Sequence, residues 1–174
     1  MKRLLLLFVG IFACCSLQAQ EPLKAGTYYI QNVASGGFLS SGANWGTRSV
    51  LSKHGVDVKV TGSDGTYTLV TQIQGANKAL NPADGYMDQS GTWTVEPVSD
   101  GIYTIFNGTN YLGYTPADAH PWVPHLTYTT STDDNTRWRF WTKEELVETM
   151  KAATKDNPVD ATFFIQAPDF LIGD

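Results

Sequence analysis

Three loop pairs carry the side chains best suited to hold a hydroxylated ring: Asn44 with Trp45, Asp84 with Tyr86, and Asp118 with Trp122. An aromatic ring covers the apolar C–H face of a sugar, while Asp or Asn accepts hydrogen bonds from its hydroxyls. The third pair has Tyr114 and His120 beside it and is the richest of the three. The same residues also serve humbler ends. Asn44, Asp84 and Asp118 suit simple turns, and the aromatics suit the covering of a barrel end. Both readings stay open at this level.

No catalytic constellation competes with them. The histidines are His54, His120 and His125, and no HExxH or Cys/His metal spacing occurs, so no metal or other cofactor is expected. No Gly-x-Ser-x-Gly elbow is present. Asp133–Asp134 and Glu144–Glu145 are adjacent pairs, unlike the spaced carboxylates of glycoside hydrolysis. The Gly-rich stretches lack the Lys of a phosphate loop. The expectation is a binding protein rather than an enzyme. Its net charge of -5 argues against nucleic acid, because phosphate binding needs clustered Lys and Arg.

The first twenty residues read as an address. Lys2 and Arg3 precede the apolar run Leu4 to Ala13, which is too short to span a bilayer, and Leu17-Gln18-Ala19 offers a cleavage site. Residues 1–20 are therefore expected to be a signal peptide of a secreted or cell-surface protein. A lipoprotein signal ending at Cys14 is the competing reading, with bulky Phe12 against it. Both cysteines, Cys14 and Cys15, lie in this leader, so the remainder has no disulfide framework. No other stretch is apolar enough for a membrane span.

The elements that must position the loop pairs follow a repeat. Gly-x-Tyr opens a strand at Gly26, Gly65 and Gly101, spaced 39 and 36 residues apart. Each opening leads through short strands to an aromatic or apolar strand: Val58 to Val60, Trp93 to Val95, and Trp138 to Phe140. Four strands per unit are expected. They include Tyr86–Met87 as the third strand of unit two, and a tight Asn107-Gly108 hairpin turn in unit three. Equivalent apolar positions are Tyr28, Tyr67 and Tyr103; Leu39, Leu80 and Leu112; Leu51, Met87 and Leu126; and Val58, Trp93 and Trp138. Aromatics repeating in register belong to a core. Trp45, Tyr86, Tyr114 and Trp122 break the repeat. Units of this kind cannot bury their apolar faces alone and must pack about one axis.

In its Asp-Gly-x-Tyr starts (Asp64 to Tyr67, Asp100 to Tyr103), its Ser35-Gly36-Gly37-Phe38-Leu39 turn and strand, and its Trp strands, the chain resembles a β-trefoil of the ricin-type lectin-like branch. The resemblance covers Gly26 to Trp141. It implies an all-β domain over residues 21–141, with sugar pockets in the loop after each unit's second strand, where the three pairs lie. The branch usually closes each unit with Gln-x-Trp; here Gly91 and Thr136 stand at the Gln positions. The functions in play are a secreted noncatalytic carbohydrate-binding module with a glycan as partner, a protein-binding trefoil of protease-inhibitor type using the Thr115 to Pro124 loop, and a structural spacer of a larger secreted protein.

Residues 142–174 form a tail. Thr142 and Glu145 make a capping box, and Leu146, Val147, Met150 and Ala153 form an apolar stripe at helical spacing. The helix is expected to stop near Asp156–Asn157 before Pro158, with a strand over Ala161 to Ile165. That strand either leads into a following domain, as in the linker before a sugar-binding β-sandwich that the segment resembles, or folds back on the trefoil.

Overall fold

The computed structural model describes residues 20–43, 47–71, 78–115, 126–152 and 164–165. Unit one contains β1 (Gly26–Asn32), β2 (Phe38–Ala43), β3 (Arg48–Ser52), β4 (His54–Gly55) and β5 (Val58–Ser63). Unit two contains β6 (Thr66–Thr71), β7 (Lys78–Ala79) and β8 (Trp93–Ser99). Unit three contains β9 (Ile102–Phe106), β10 (Tyr111–Tyr114), β11 (Leu126–Thr129) and β12 (Arg137–Trp141). The helix α1 (Lys143–Ala152) and the short β13 (Phe164–Ile165) follow.

The first and last strands of the units close a ring. β1 pairs with β5, β5 with β6, β6 with β8, β8 with β9, and β9 with β12, which returns to β1. A six-stranded barrel results, and closure removes the exposed strand edges. The register carries the threefold repeat. Tyr28 faces Val58, Tyr67 faces Trp93, and Tyr103 faces Trp138. Two residues further along, at the next inward position of the pleat, Ile30 faces Phe140, Leu69 faces Val60, and Ile105 faces Val95. All of these side chains are buried except Tyr28, which is half-buried against the same core.

The second layer repeats as well. Leu39, Leu80 and Leu112 are fully buried at equivalent places. The indole of Trp93 donates to the Leu80 carbonyl at 2.9 Å, and that of Trp138 donates to the Leu112 carbonyl at 2.9 Å. Each tryptophan therefore buries a large ring, by about 2 kcal/mol or more, and also satisfies a buried carbonyl. Unit one keeps the register with Val58, which has no donor. Of the third set, Met87 and Leu51 are buried, and Leu126 packs half-buried on the core.

Two sequence expectations are corrected. Tyr86–Met87 is not a strand: Tyr86 makes a single bridge to Arg48 of unit one. The turn before it, closed by Gly85 N–H to the Asn81 carbonyl at 2.9 Å and by Asn81 N–H to the Tyr86 carbonyl at 2.8 Å, leaves no length for a hairpin. Asn107-Gly108 is not a two-residue turn. β9 and β10 meet at Phe106 and Tyr111, across a four-residue loop. The Asn107 carboxamide oxygen accepts from Thr109 N–H at 3.0 Å and Asn110 N–H at 2.7 Å, so its side chain builds the loop and holds the strands further apart in sequence.

The tail lies against the trefoil. Thr142 N–H and hydroxyl both donate to Glu145 Oε2, at 2.8 and 2.9 Å, and Glu145 N–H donates to Thr142 Oγ1 at 3.1 Å, the expected capping box. Leu146 is buried in a small satellite core with Tyr29 and Phe38, with Trp141 packed on it. β13 pairs parallel with β4, Phe164 beside His54 and Ile165 beside Gly55, so this strand folds back on the trefoil. Residues 153–163, including the expected helix stop, and 166–174 lie outside the described residues, as do residues 1–19 with the leader and Cys14.

At the barrel end where the Gly-x-Tyr strands begin, the segment after residue 19 crosses the opening. Leu23 is buried in the core cluster, Tyr67 donates its hydroxyl to the Leu23 carbonyl, and Tyr28 donates to the Lys24 carbonyl at 2.9 Å.

Candidate functional site

Of the three loop pairs, the structure describes one completely. Asn81-Pro82-Ala83-Asp84-Gly85 turns the chain after the second strand of unit two. The Asn81 side chain accepts from Ala83 N–H at 3.0 Å, and Gly85 takes a left-handed φ of 76°. The turn sets Asp84 at the surface, exposed, with Oδ1 accepting from Tyr86 N–H at 3.0 Å. The turn-making role is therefore real. It also fixes the carboxylate: one oxygen is anchored to the backbone, and the group retains acceptor capacity for a ligand.

Neighbouring units complete the surroundings. The Ser49 hydroxyl and N–H both donate to the Gly85 carbonyl, and Met87 N–H donates to the Thr47 carbonyl at 2.6 Å, locking the loop onto β3. Arg48 of β3 places its guanidinium 5.9 Å from the centroid of the half-buried Tyr86 ring. Tyr128 of β11 stacks on Trp93, with centroids 6.3 Å apart at 22°, and its hydroxyl donates to the Asn81 carbonyl at 3.3 Å. Burial, and then the charge of nearby Asp84, push the Tyr128 phenol up to about 12. An anionic acceptor, a guanidinium donor and two phenol rings thus converge from three units. Arg48 and Tyr128 were not among the residues the sequence singled out. Each belongs to a different unit from the loop it meets, and only packing about the axis brings them there.

The other sequence-predicted residues divide in two. Tyr114, at the end of β10, pairs with Leu126 and packs half-buried on the core. Asn44, Trp45, Asp118, His120 and Trp122 lie outside the described residues, as do His125 and the loop from residue 116 to 125. Among the described residues, no group of three or more His, Cys, Asp or Glu could hold a metal ion. No helix among them is long and apolar enough to cross a membrane.

No known protein family matches the chain, and no curated protein does. Solved structures do. A proteinase inhibitor from Coprinopsis cinerea superposes with a TM-score of 0.55 at 16% identity, over 68% of this chain and 98% of the inhibitor. A ricin B-like lectin from Macrolepiota procera, in complex with lactose, gives 0.52 at 17% identity, over 70% and 98%. A designed threefold-symmetric protein, ThreeFoil, gives 0.51 at 17% identity, over 67% and 98%. At such identities the likeness speaks for architecture alone, and it agrees with the closed barrel and the matched Tyr28, Tyr67 and Tyr103 registers: by its fold, this chain is a β-trefoil, built like the ricin B-like lectins and their relatives.

Proposed function

We propose that the chain is a secreted, noncatalytic carbohydrate-binding module that engages glycans through the loops after each unit's second strand. The carrying observation is the exposed Asp84 carboxylate, fixed by Tyr86 N–H with the guanidinium of Arg48 over the Tyr86 ring. Acceptor, donor and aromatic ring together are what a hydroxylated ring requires. Asn44 with Trp45, and Asp118 with Trp122, Tyr114 and His120, are the corresponding sets in units one and three. Secretion rests on the Lys2-Arg3 and Leu4 to Ala13 leader pattern.

The test is a glycan array with the wild-type chain and Asp84→Asn. Asparagine keeps the oxygen that accepts from Tyr86 N–H, so the turn survives, while the charge is lost. A hydrogen bond to a charged group contributes about 1.5–3 kcal/mol, so binding through this loop should weaken about tenfold or more. The second reading, a protein-binding trefoil, is favoured by the likeness to a trefoil proteinase inhibitor. A blank array together with retention on immobilised proteases would replace the first reading with the second.

A further inference from the structure

The three tyrosines that open the units stand at the same end of the barrel, and their hydroxyls are not used alike. Tyr67 and Tyr28 donate to the Leu23 and Lys24 carbonyls. Tyr103, at 9% exposure, meets no hydrogen-bond partner among the described residues. The oxygen itself still reaches solvent, since the buried side-chain polar atom left without a partner among the described residues is Thr71 Oγ1 and not the Tyr103 hydroxyl. Its hydroxyl does not face the core. Tyr103 lines a cleft of about 820 Å³ together with Tyr28, Phe140, Asp100, Lys24 and Glu145. That volume is ample for a small ligand. The cleft lies at the opposite end of the barrel strands from the Asp84 loop, and its ligand is independent of the glycan reading.

The lining chemistry narrows the class of ligand. Phe140 lies between the two tyrosine rings, 5.7 Å from Tyr28 at 74° and 5.2 Å from Tyr103 at 76°. Three carboxylates, Glu21, Asp100 and Glu145, face one ammonium, Lys24. Lys24 pairs with Glu21 at 2.9 Å, and Glu145 Oε2 is engaged by the helix cap. Asp100 is exposed and has neither a hydrogen bond nor an ion pair among the described residues. The cleft therefore presents an uncommitted carboxylate, an uncommitted phenol and aromatic rings, with negative charge in excess.

We propose that this cleft binds a primary ammonium group, which donates to the Tyr103 hydroxyl oxygen and to the Asp100 carboxylate while its carbon chain lies along Phe140. An ammonium has three protons to donate, and both acceptors are present. The nearby rings favour a cation further. An anion would meet the carboxylates unpaired. A free polyamine and the side chain of a lysine share this chemistry.

Calorimetric titration of the full chain tests it with three probes: putrescine, a blocked lysine amide, and butane-1,4-diol, which matches putrescine in length without charge. At least one amine should bind, and the tighter one names the source; the diol should not bind. Tyr103→Phe and Asp100→Asn should each weaken binding about tenfold or more, the loss of one hydrogen bond to a charged group. Tyr103→Phe should leave the melting temperature unchanged, since its hydroxyl has no partner within the described fold. Asp84→Asn should bind the amine as the wild type does. Failure of both amines, affinity undiminished from the wild type in both cleft variants, or diol binding as tight as putrescine would each overturn the assignment. The glycan reading would stand whichever result appeared.

Discussion

Trp138→Phe and Trp93→Phe should destabilise the chain by the same large amount, because the two indoles occupy equivalent places in the barrel. Each is almost fully buried and donates to a buried leucine carbonyl at 2.9 Å, Leu112 for Trp138 and Leu80 for Trp93. Phenylalanine keeps the inward register opposite Tyr103 or Tyr67. It removes the donor, and a carbonyl left unpaired in the core costs about 1–3 kcal/mol. The smaller ring also leaves a void, which adds about 1 kcal/mol. The expected loss is about 2–4 kcal/mol per variant, a fall in Tm of about 5–15 °C for a chain of this size. Chemical denaturation followed by far-ultraviolet circular dichroism reads it without relying on tryptophan emission. Two losses within about 1 kcal/mol of each other fit the threefold account. A loss below about 1 kcal/mol in either variant, or a gap above about 2 kcal/mol between them, would refute the reasoning from equivalent hydrogen bonds.

Tyr67→Phe strands the Leu23 carbonyl and should destabilise by about 1–2 kcal/mol, with faster hydrogen exchange across residues 20–25. Tyr103→Phe should leave that exchange unchanged. Thr142→Ala removes the α1 cap and should cost about 1 kcal/mol, read as faster amide exchange over the first turn of α1 with the barrel amides unaltered. Alkali should unfold the chain between pH 10 and about 12. Burial raises the phenols of Tyr29, Tyr28, Tyr103 and Tyr128, the last to about 12. The unfolded chain then releases these protons near pH 10 while the folded chain still holds them, so stability present below pH 10 declines as pH rises through the folded values. Ionisation of these four phenols, followed residue by residue by NMR, should accompany the loss of circular dichroism; ionisation of all four near pH 10 in a chain that remains folded would contradict the buried assignments.

The barrel was legible in the sequence because its determinants are local and repeated. Gly-x-Tyr at three places, followed by Val58, Trp93 and Trp138, became the three intra-unit pairs of the closed ring. The capping box at Thr142 was equally plain, since both partners lie within one helical turn. What escaped depends on distant packing. Nothing in Glu21-Pro22-Leu23-Lys24 marks Leu23 as the side chain that fills the barrel end, because a single apolar residue has no period. Arg48 and Tyr128 looked like ordinary strand residues until the axis brought β3 and β11 to the Asp84 turn. Tyr86 looked like a strand residue because its neighbour Met87 falls in the repeat with Leu51 and Leu126, yet the Asn81 turn leaves it one bridge. Asn107-Gly108 carried a strong two-residue turn signal, and the Asn107 side chain won by capping two amides of a longer loop.

The most direct measurement of the glycan assignment is calorimetric titration of the strongest array hit into the wild type, Asp84→Asn and Tyr86→Ala at matched protein fold. The account predicts saturable binding that both substitutions weaken about tenfold or more while the barrel keeps its melting temperature to within a few degrees. Undiminished affinity in both variants would remove the Asp84 loop from the binding surface.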